Sequence, residues 1–202
     1  MIDRFDFRFY NKTVEVRKVL FRPLVKLLAW LGISPNAVTF FGVTMMFFFV
    51  LFIRKDPYTA LMFGILSIFA DMTDGILARY LKQDSDRGKF IDIVADNISF
   101  TLFIIGIAYA GMLDAFLAII LVYTMVMSKV FRIIVHSLSF KSDWHFKAWG
   151  GTIPNIVVAA FFILFPFLLI TGMNYFQVAA NVSILVLIVD AIAFYRKILR
   201  KM

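Results

Sequence analysis
The chain has 202 residues, 62% of them hydrophobic with 25 phenylalanines, a net charge of +8 and a mean hydropathy of +0.88. Soluble domains are about 45–50% apolar, so the composition excludes an ordinary soluble fold and implies a one-domain, multi-spanning helical membrane protein. The lack of cysteine excludes disulfides and thiolate metal sites.

Residues 1–33 form an N-terminal juxtamembrane segment. Arg4, Arg8, Lys12, Arg17, Lys18, Arg22 and Lys26 are interleaved with Phe5, Phe7, Phe9, Val14, Val19, Leu20 and Phe21. From about Thr13 to Trp30 the apolar positions recur at helical spacing. This predicts an amphipathic helix lying in the membrane interface, with Trp30 as an anchor. The early charges leave no uninterrupted apolar core, so no cleavable signal peptide is expected.

Residues 34–202 carry six apolar spans, at about 35–53, 58–80, 90–111, 114–137, 152–172 and 176–196. Each is near the roughly 20 residues needed to cross a bilayer. Ser34 and Pro35 are good helix-start residues for the first. Arg54-Lys55-Asp56-Pro57 turns the chain between the first two, and a longer polar link, 140–151, separates the fourth and fifth. With both ends inside, 19 of the 21 lysines and arginines fall on the cytoplasmic side. That asymmetry predicts cytoplasmic termini and an even number of spans. It also reads the positive charge as topology signal and affinity for anionic headgroups rather than for nucleic acid.

Four of the 13 acidic residues sit in one constellation: Asp71 and Asp74 late in the second span, Asp92 and Asp96 early in the third. Charges at membrane depth are expensive, so such a group reads as a functional site. Helical spacing puts Asp71, Asp74, Gly75 and Ala78 on one face and Gly88, Asp92 and Asp96 on another. If these faces pack together, with Gly75, Ala78 and Gly88 allowing close approach, four carboxylates meet in a cavity open to the cytoplasm. Clustered carboxylates repel unless cations are bound. An all-oxygen set suits two Mg2+ or Mn2+ ions, an arrangement used for attack at phosphorus. Arg79 can neutralise phosphate oxygens. On residues alone, carboxylates paired with Arg79, Arg87 and Lys89 for packing, or a cation or lipid transporter, remain the alternatives.

The spacing Asp71-x2-Asp74-Gly75-x2-Ala78-Arg79-x8-Gly88-x3-Asp92-x3-Asp96 resembles, without departure, the signature of the CDP-alcohol phosphotransferases (CDP-alcohol phosphatidyltransferases). The six-span layout and the Pro35-Asn36 start of the first span are similar too. The resemblance implies that Asp71, Asp74, Asp92 and Asp96 ligate two divalent metals and that Asp96 is also the catalytic base. It implies that Gly75, Arg79 and Ser85 hold the CDP moiety, with Asn36 and Thr39 on the nucleotide side. It further implies a CDP-linked lipid donor, a polar alcohol acceptor, release of CMP, and a homodimer among membrane lipids. The same signature serves enzymes that use CDP-choline or CDP-ethanolamine with diacylglycerol.

The acceptor is left open by the residues. Lys129 and Arg132, three apart in the fourth span, can face the cavity and would suit a phosphorylated alcohol, or can serve as positive-inside residues. Trp144, Phe146 and Trp149 offer aromatic faces to a quaternary amine. Asp190 in the sixth span is expected to form an ion pair with Lys129, Arg132 or Arg196. His136 and His145 do not suit an oxygen-ligated site and are expected to be interfacial.

Overall fold
The computed structural model describes residues 21–139 and 152–199. The described chain is helical, with no strand: residues 21–30 (α1), then α2 (Pro35–Phe52), α3 (Pro57–Tyr80), α4 (Asp86–Tyr109), α5 (Ala115–Ser139), α6 (Thr152–Thr171) and α7 (Phe176–Leu199). This is an all-α membrane protein. Pro35–Phe52, Pro57–Tyr80, Arg87–Tyr109, Ile153–Thr171 and Phe176–Leu199 are each long and apolar enough to cross a bilayer. The expected fourth span is α5, 25 residues long and apolar over Ala115–Phe131. Of the expected interfacial helix, only residues 21–30 fall among the described ones.

Local chemistry sets the helix ends. Ser34 accepts from the Ala37 amide at 3.3 Å with Pro35 at the first helical position, and Asp56 and Pro57 repeat the device at α3. The Thr59 hydroxyl donates to the Asp56 carboxylate and holds its pKa below the usual value, outside the spans. Asp114 accepts from the amides of Phe116 and Leu117 and so caps α5. The turns after α4 and α6 are tied together, since Asn174 donates to the Met112 carbonyl at 2.8 Å and the Asp114 amide donates to Gln177 at 3.1 Å.

α2 is the centre of the first half. Its buried stripe, Val38, Gly42, Met46 and Phe49, recurs every three or four residues. It meets the small-residue stripe Ala60, Gly64, Ser67 and Ala70 of α3. The crossing is tight at Gly42, where a Cβ would lie 3.1 Å from Ala70 Cβ and 3.4 Å from the Ser67 carbonyl oxygen. On its other side α2 packs on α4, where Phe49 stacks on Phe103 with centroids 5.0 Å apart and meets Phe165 of α6 edge-on. A Cβ at Gly106 would come within 2.8 Å of the Phe49 ring.

This differs from the expected direct packing of the second span on the third. α3 and α4 touch sparsely, and α2 wedges between them and buries against both. The close-approach glycines are therefore Gly42 and Gly106, whereas Gly75 faces the Arg79 side chain and Gly88 faces Ser85. α5 and α7 form the second half, joined through Leu121 and Met125 on one side and Ala180, Ile184 and Leu187 on the other. α1 closes the carboxylate end of the first half: Phe21 and Val25 are buried in a cluster with Val38, Ala70, Ile76 and Leu77, while Arg22, Lys26 and Trp30 are exposed.

Candidate active site
α3 and α4 both carry aspartates at the end where the link of residues 81–85 joins them. Asp71 lies nine residues from Tyr80 at the end of α3, and Asp96 lies ten from Asp86 at the start of α4. At 1.5 Å per residue both are about 14 Å along their helices from the connecting link. Asp74 and Asp92 are each six residues in, about 9 Å. Because the helices run antiparallel, the four residues form two layers, Asp71 with Asp96 below and Asp74 with Asp92 above.

The structure brings three of the four together. One carboxylate oxygen from each of Asp71, Asp92 and Asp96 lies within 4.8 Å of the other two. Asp71 and Asp96 are exposed to the opening and Asp92 is half-buried. Asp74 instead points at α2. It is 4% exposed, and its Oδ2 accepts from the Thr39 hydroxyl at 2.6 Å while its Oδ1 accepts from the Gly75 amide. The tight Gly42 crossing, one turn along α2 from Thr39, sets this contact.

The donor set fits a hard divalent cation. It is all oxygen, with neither cysteine nor histidine among its members. Around Mg2+ at about 2.1 Å, ligand oxygens stand about 3 Å apart at neighbouring positions and about 4.2 Å apart at opposite ones. The observed span of up to 4.8 Å closes to that by small rotations of the exposed Asp71 and Asp96 side chains.

Cations flank the cluster. Arg79 faces Asp92 and lies along the backbone at Gly75, where a Cβ would meet its two terminal nitrogens at 3.6 and 3.8 Å. The half-buried Lys129 of α5 faces Asp96 and Asp71, and its ammonium donates to Asn97 Oδ1 at 2.9 Å. Asn97 Nδ2 in turn donates to the Ile93 carbonyl at 2.8 Å. Asp84 of the link between α3 and α4 forms an exposed ion pair with Lys89 in the first turn of α4, at 3.8 Å.

The other residues named from sequence divide. Ser85 caps α4, accepting from the Gly88 amide at 3.1 Å, and stands at the mouth of the site. Asn36 is exposed at the start of α2. The side chains of Arg132 and His136, and all of Trp144, His145, Phe146 and Trp149, lie outside the described residues. Asp190 accepts a hydrogen bond from Ser128; the expected ion pair includes Arg132, whose side chain lies outside the described residues. Asn97 and Ser128 were not singled out in the sequence. The available signals were an amide directly after Asp96 and a hydroxyl on the apolar stripe of α5.

A helical membrane protein with a carboxylate-lined opening at one end of its bundle is thus the class defined by fold and site. The model of the CDP-alcohol phosphatidyltransferase family matches residues 32–192, and the chain belongs to that family. Among curated proteins, an uncharacterized protein of Aquifex aeolicus is 34% identical over 113 residues, 50% of this chain and 56% of that one. An archaetidylinositol phosphate synthase of Pyrococcus horikoshii is 29% identical over 103 residues, 48% of this chain and 54% of that one. The chain spans about half the length of the curated relatives it matches.

Proposed function
We propose that the protein transfers a phosphatidyl group, or its ether-lipid equivalent, from a CDP-linked lipid to the hydroxyl of a small polar acceptor, releasing CMP. The observation that carries this reading is the meeting of Asp71, Asp92 and Asp96 within 4.8 Å at the open end of a membrane bundle. The family membership supports the substrate class. Asp71, Asp74, Asp92 and Asp96 are the proposed ligands of two Mg2+ or Mn2+ ions. For Asp74 this requires its carboxylate to serve the cation from the Thr39-bonded position or by a turn of its side chain.

When bound, the cations offset charge on the pyrophosphate and on the departing CMP. The chain's own residues do the rest. Arg79 holds a phosphate oxygen through its guanidinium. Gly75, Ser85, Asn36 and Thr39 line the CDP side. Asp96 takes the proton of the acceptor hydroxyl. The resulting alkoxide oxygen bonds to the lipid-linked phosphorus as the bond from that phosphorus to the CMP oxygen breaks. Lys129, beside Asp96, supports an acceptor that itself carries a phosphate, in keeping with the phosphate in the product named for the Pyrococcus relative.

An apolar cavity of about 110 Å3 lined by Phe49, Gly64, Ile68, Phe103, Phe165 and Pro166 lies on the same stripe of α3 as Asp71. Its place supports a hydrocarbon chain below the headgroup. The distribution of basic residues supports cytoplasmic termini, a cytoplasm-facing site and an interfacial α1. We take residues 1–33 as the juxtamembrane segment, residues 34–202 as the catalytic domain, and the assembly as a homodimer.

The test is to incubate the purified protein with Mg2+ or Mn2+, CDP-diacylglycerol and a panel of plain and phosphorylated alcohols, and to follow CMP and lipid product by mass spectrometry. CMP with a matching lipid product is expected. No CMP with any acceptor, nor with CDP-choline or CDP-ethanolamine and diacylglycerol, would overturn the reading, and metal-driven flux would then identify a transporter.

A further inference from the structure
The seam between α5 and α7 is apolar over most of its described length. Leu121, Met125, Ala180, Ile184 and Leu187 are all buried there. It is interrupted where Ser128 donates to the Asp190 carboxylate. Ser128 is fully enclosed and Asp190 is 6% exposed. A carboxylate on a membrane-spanning helix is costly, and an aliphatic residue would fill the same stripe. The next residue on α5 shows what the pair accomplishes.

Lys129 follows Ser128 by about 100° around the helix. As Ser128 faces α7, Lys129 is turned toward α4, where it meets Asn97 at 2.9 Å and faces Asp96 and Asp71. The Asn97 amide is oriented by its donation to the Ile93 carbonyl, which leaves its oxygen for the lysine. Apolar side chains in a seam tolerate small rotations and slides of one helix on another. A directional hydrogen bond from the helix surface does not, because rotating α5 breaks it.

We propose that Asp190 is a positioning residue: through Ser128 it fixes the rotation of α5 that keeps the Lys129 ammonium between Asn97 and the carboxylates of Asp71 and Asp96. The inference rests on the reading of those carboxylates as a divalent-cation site, and it goes beyond it by giving α7 a part in setting the charge there. Lys129 then competes with a cation for the same carboxylates, and the α5–α7 pair sets how strongly.

The experiment measures Mn2+ binding to the full chain, with no substrate, by the loss of the free-ion electron paramagnetic resonance signal. Lys129→Met removes a positive charge beside the ligands, and Mn2+ affinity is expected to rise on the order of tenfold. Ser128→Ala changes no charge and removes only the hydrogen bond. It is expected to raise the affinity two- to fivefold in the wild-type background, by the same electrostatic argument applied to a displaced lysine, and to have no effect in the Lys129→Met background. Asp190→Leu, which keeps the bulk and removes the acceptor for the Ser128 hydroxyl, is expected to show the same dependence on Lys129. Circular dichroism and a monodisperse elution profile check that each variant is folded. Equal shifts in both backgrounds, or no shift for Ser128→Ala in the wild type, overturn the proposal. A wild type that binds no Mn2+ overturns it together with the cation site. Failure to form CMP with this Mn2+ behaviour intact removes the transfer reaction alone.

Discussion
The Thr39–Asp74 bond is the point at which the helix crossing and the chemistry meet, and replacing Thr39 with valine isolates it. The substitution exchanges a hydroxyl for a methyl of similar size, so the packing of α2 on α3 is kept. It removes a 2.6 Å donor from a carboxylate that is 4% exposed. Hydrogen bonds to charged groups contribute about 1.5–3 kcal/mol in soluble proteins. Between membrane helices measured values average about 0.6 and reach about 1.7 kcal/mol, since the unfolded chain in the membrane also finds partners. Asp74 is on the upper layer near the opening, and the Gly75 amide still donates to its other oxygen, so the membrane range applies. A loss of about 1–1.5 kcal/mol is expected in denaturant unfolding of the micelle-embedded protein. Thr39→Ser, which keeps the hydroxyl, is expected to recover most of it. If Asp74 is a cation ligand, Thr39 is its outer partner, and loss of such partners lowers affinity or activity on the order of 10–100-fold. Mn2+ affinity and CMP release should then fall together in Thr39→Val and return in Thr39→Ser. Stability and Mn2+ affinity both indistinguishable from wild type in Thr39→Val would refute the assignment of Thr39 as the residue that holds Asp74.

Other perturbations follow from the same geometry. Gly42→Ala places a methyl 3.1 Å from Ala70 Cβ. Neither carbon can swing aside, so the helices part by a few tenths of an ångström at a cost of about 1–3 kcal/mol, and CMP release should drop although no site atom is altered. Asp96→Asn should abolish turnover while equilibrium binding of the CDP-lipid is retained, because the amide cannot accept the hydroxyl proton; wild-type turnover would remove Asp96 as the base. Chelation with EDTA should stop CMP release, and added Mg2+ or Mn2+ should restore it, as expected for an all-oxygen site. Asp114→Ala, at the opposite end of the bundle, should lower unfolding stability by about 1 kcal/mol through loss of the α5 cap and leave the KM of the CDP-lipid unchanged.

The apolar helices and their caps were legible because each depends on near neighbours in the chain. Ser34-Pro35 and Asp56-Pro57 start helices wherever they stand before an apolar run. The Asp71 to Asp96 spacing was legible for the same reason, since helical periodicity assigns residues to faces. Periodicity does not say which neighbour a face will meet. From spacing alone Asp74 shares a stripe with Asp71, and both were expected to face the third span. The packing of α2 between α3 and α4 divides them: Asp71 joins Asp92 and Asp96 at the opening, while Asp74 turns to Thr39.

Asp190 makes the same point from the other half. Its sequence position pointed to basic partners and gave no sign of the Ser128 hydrogen bond. By itself the sequence determined a helical membrane protein with four aspartates at matched depths on two antiparallel helices, because length, hydropathy and the rise per residue are local quantities. Only the tertiary structure decided which three carboxylates share a centre, that Thr39 holds the fourth, and that α5 brings Lys129 beside them. Those contacts depend on the rotation of each helix about its own axis, and that rotation is set by close packing at Gly42 and by the Ser128–Asp190 bond, between residues far apart in the chain.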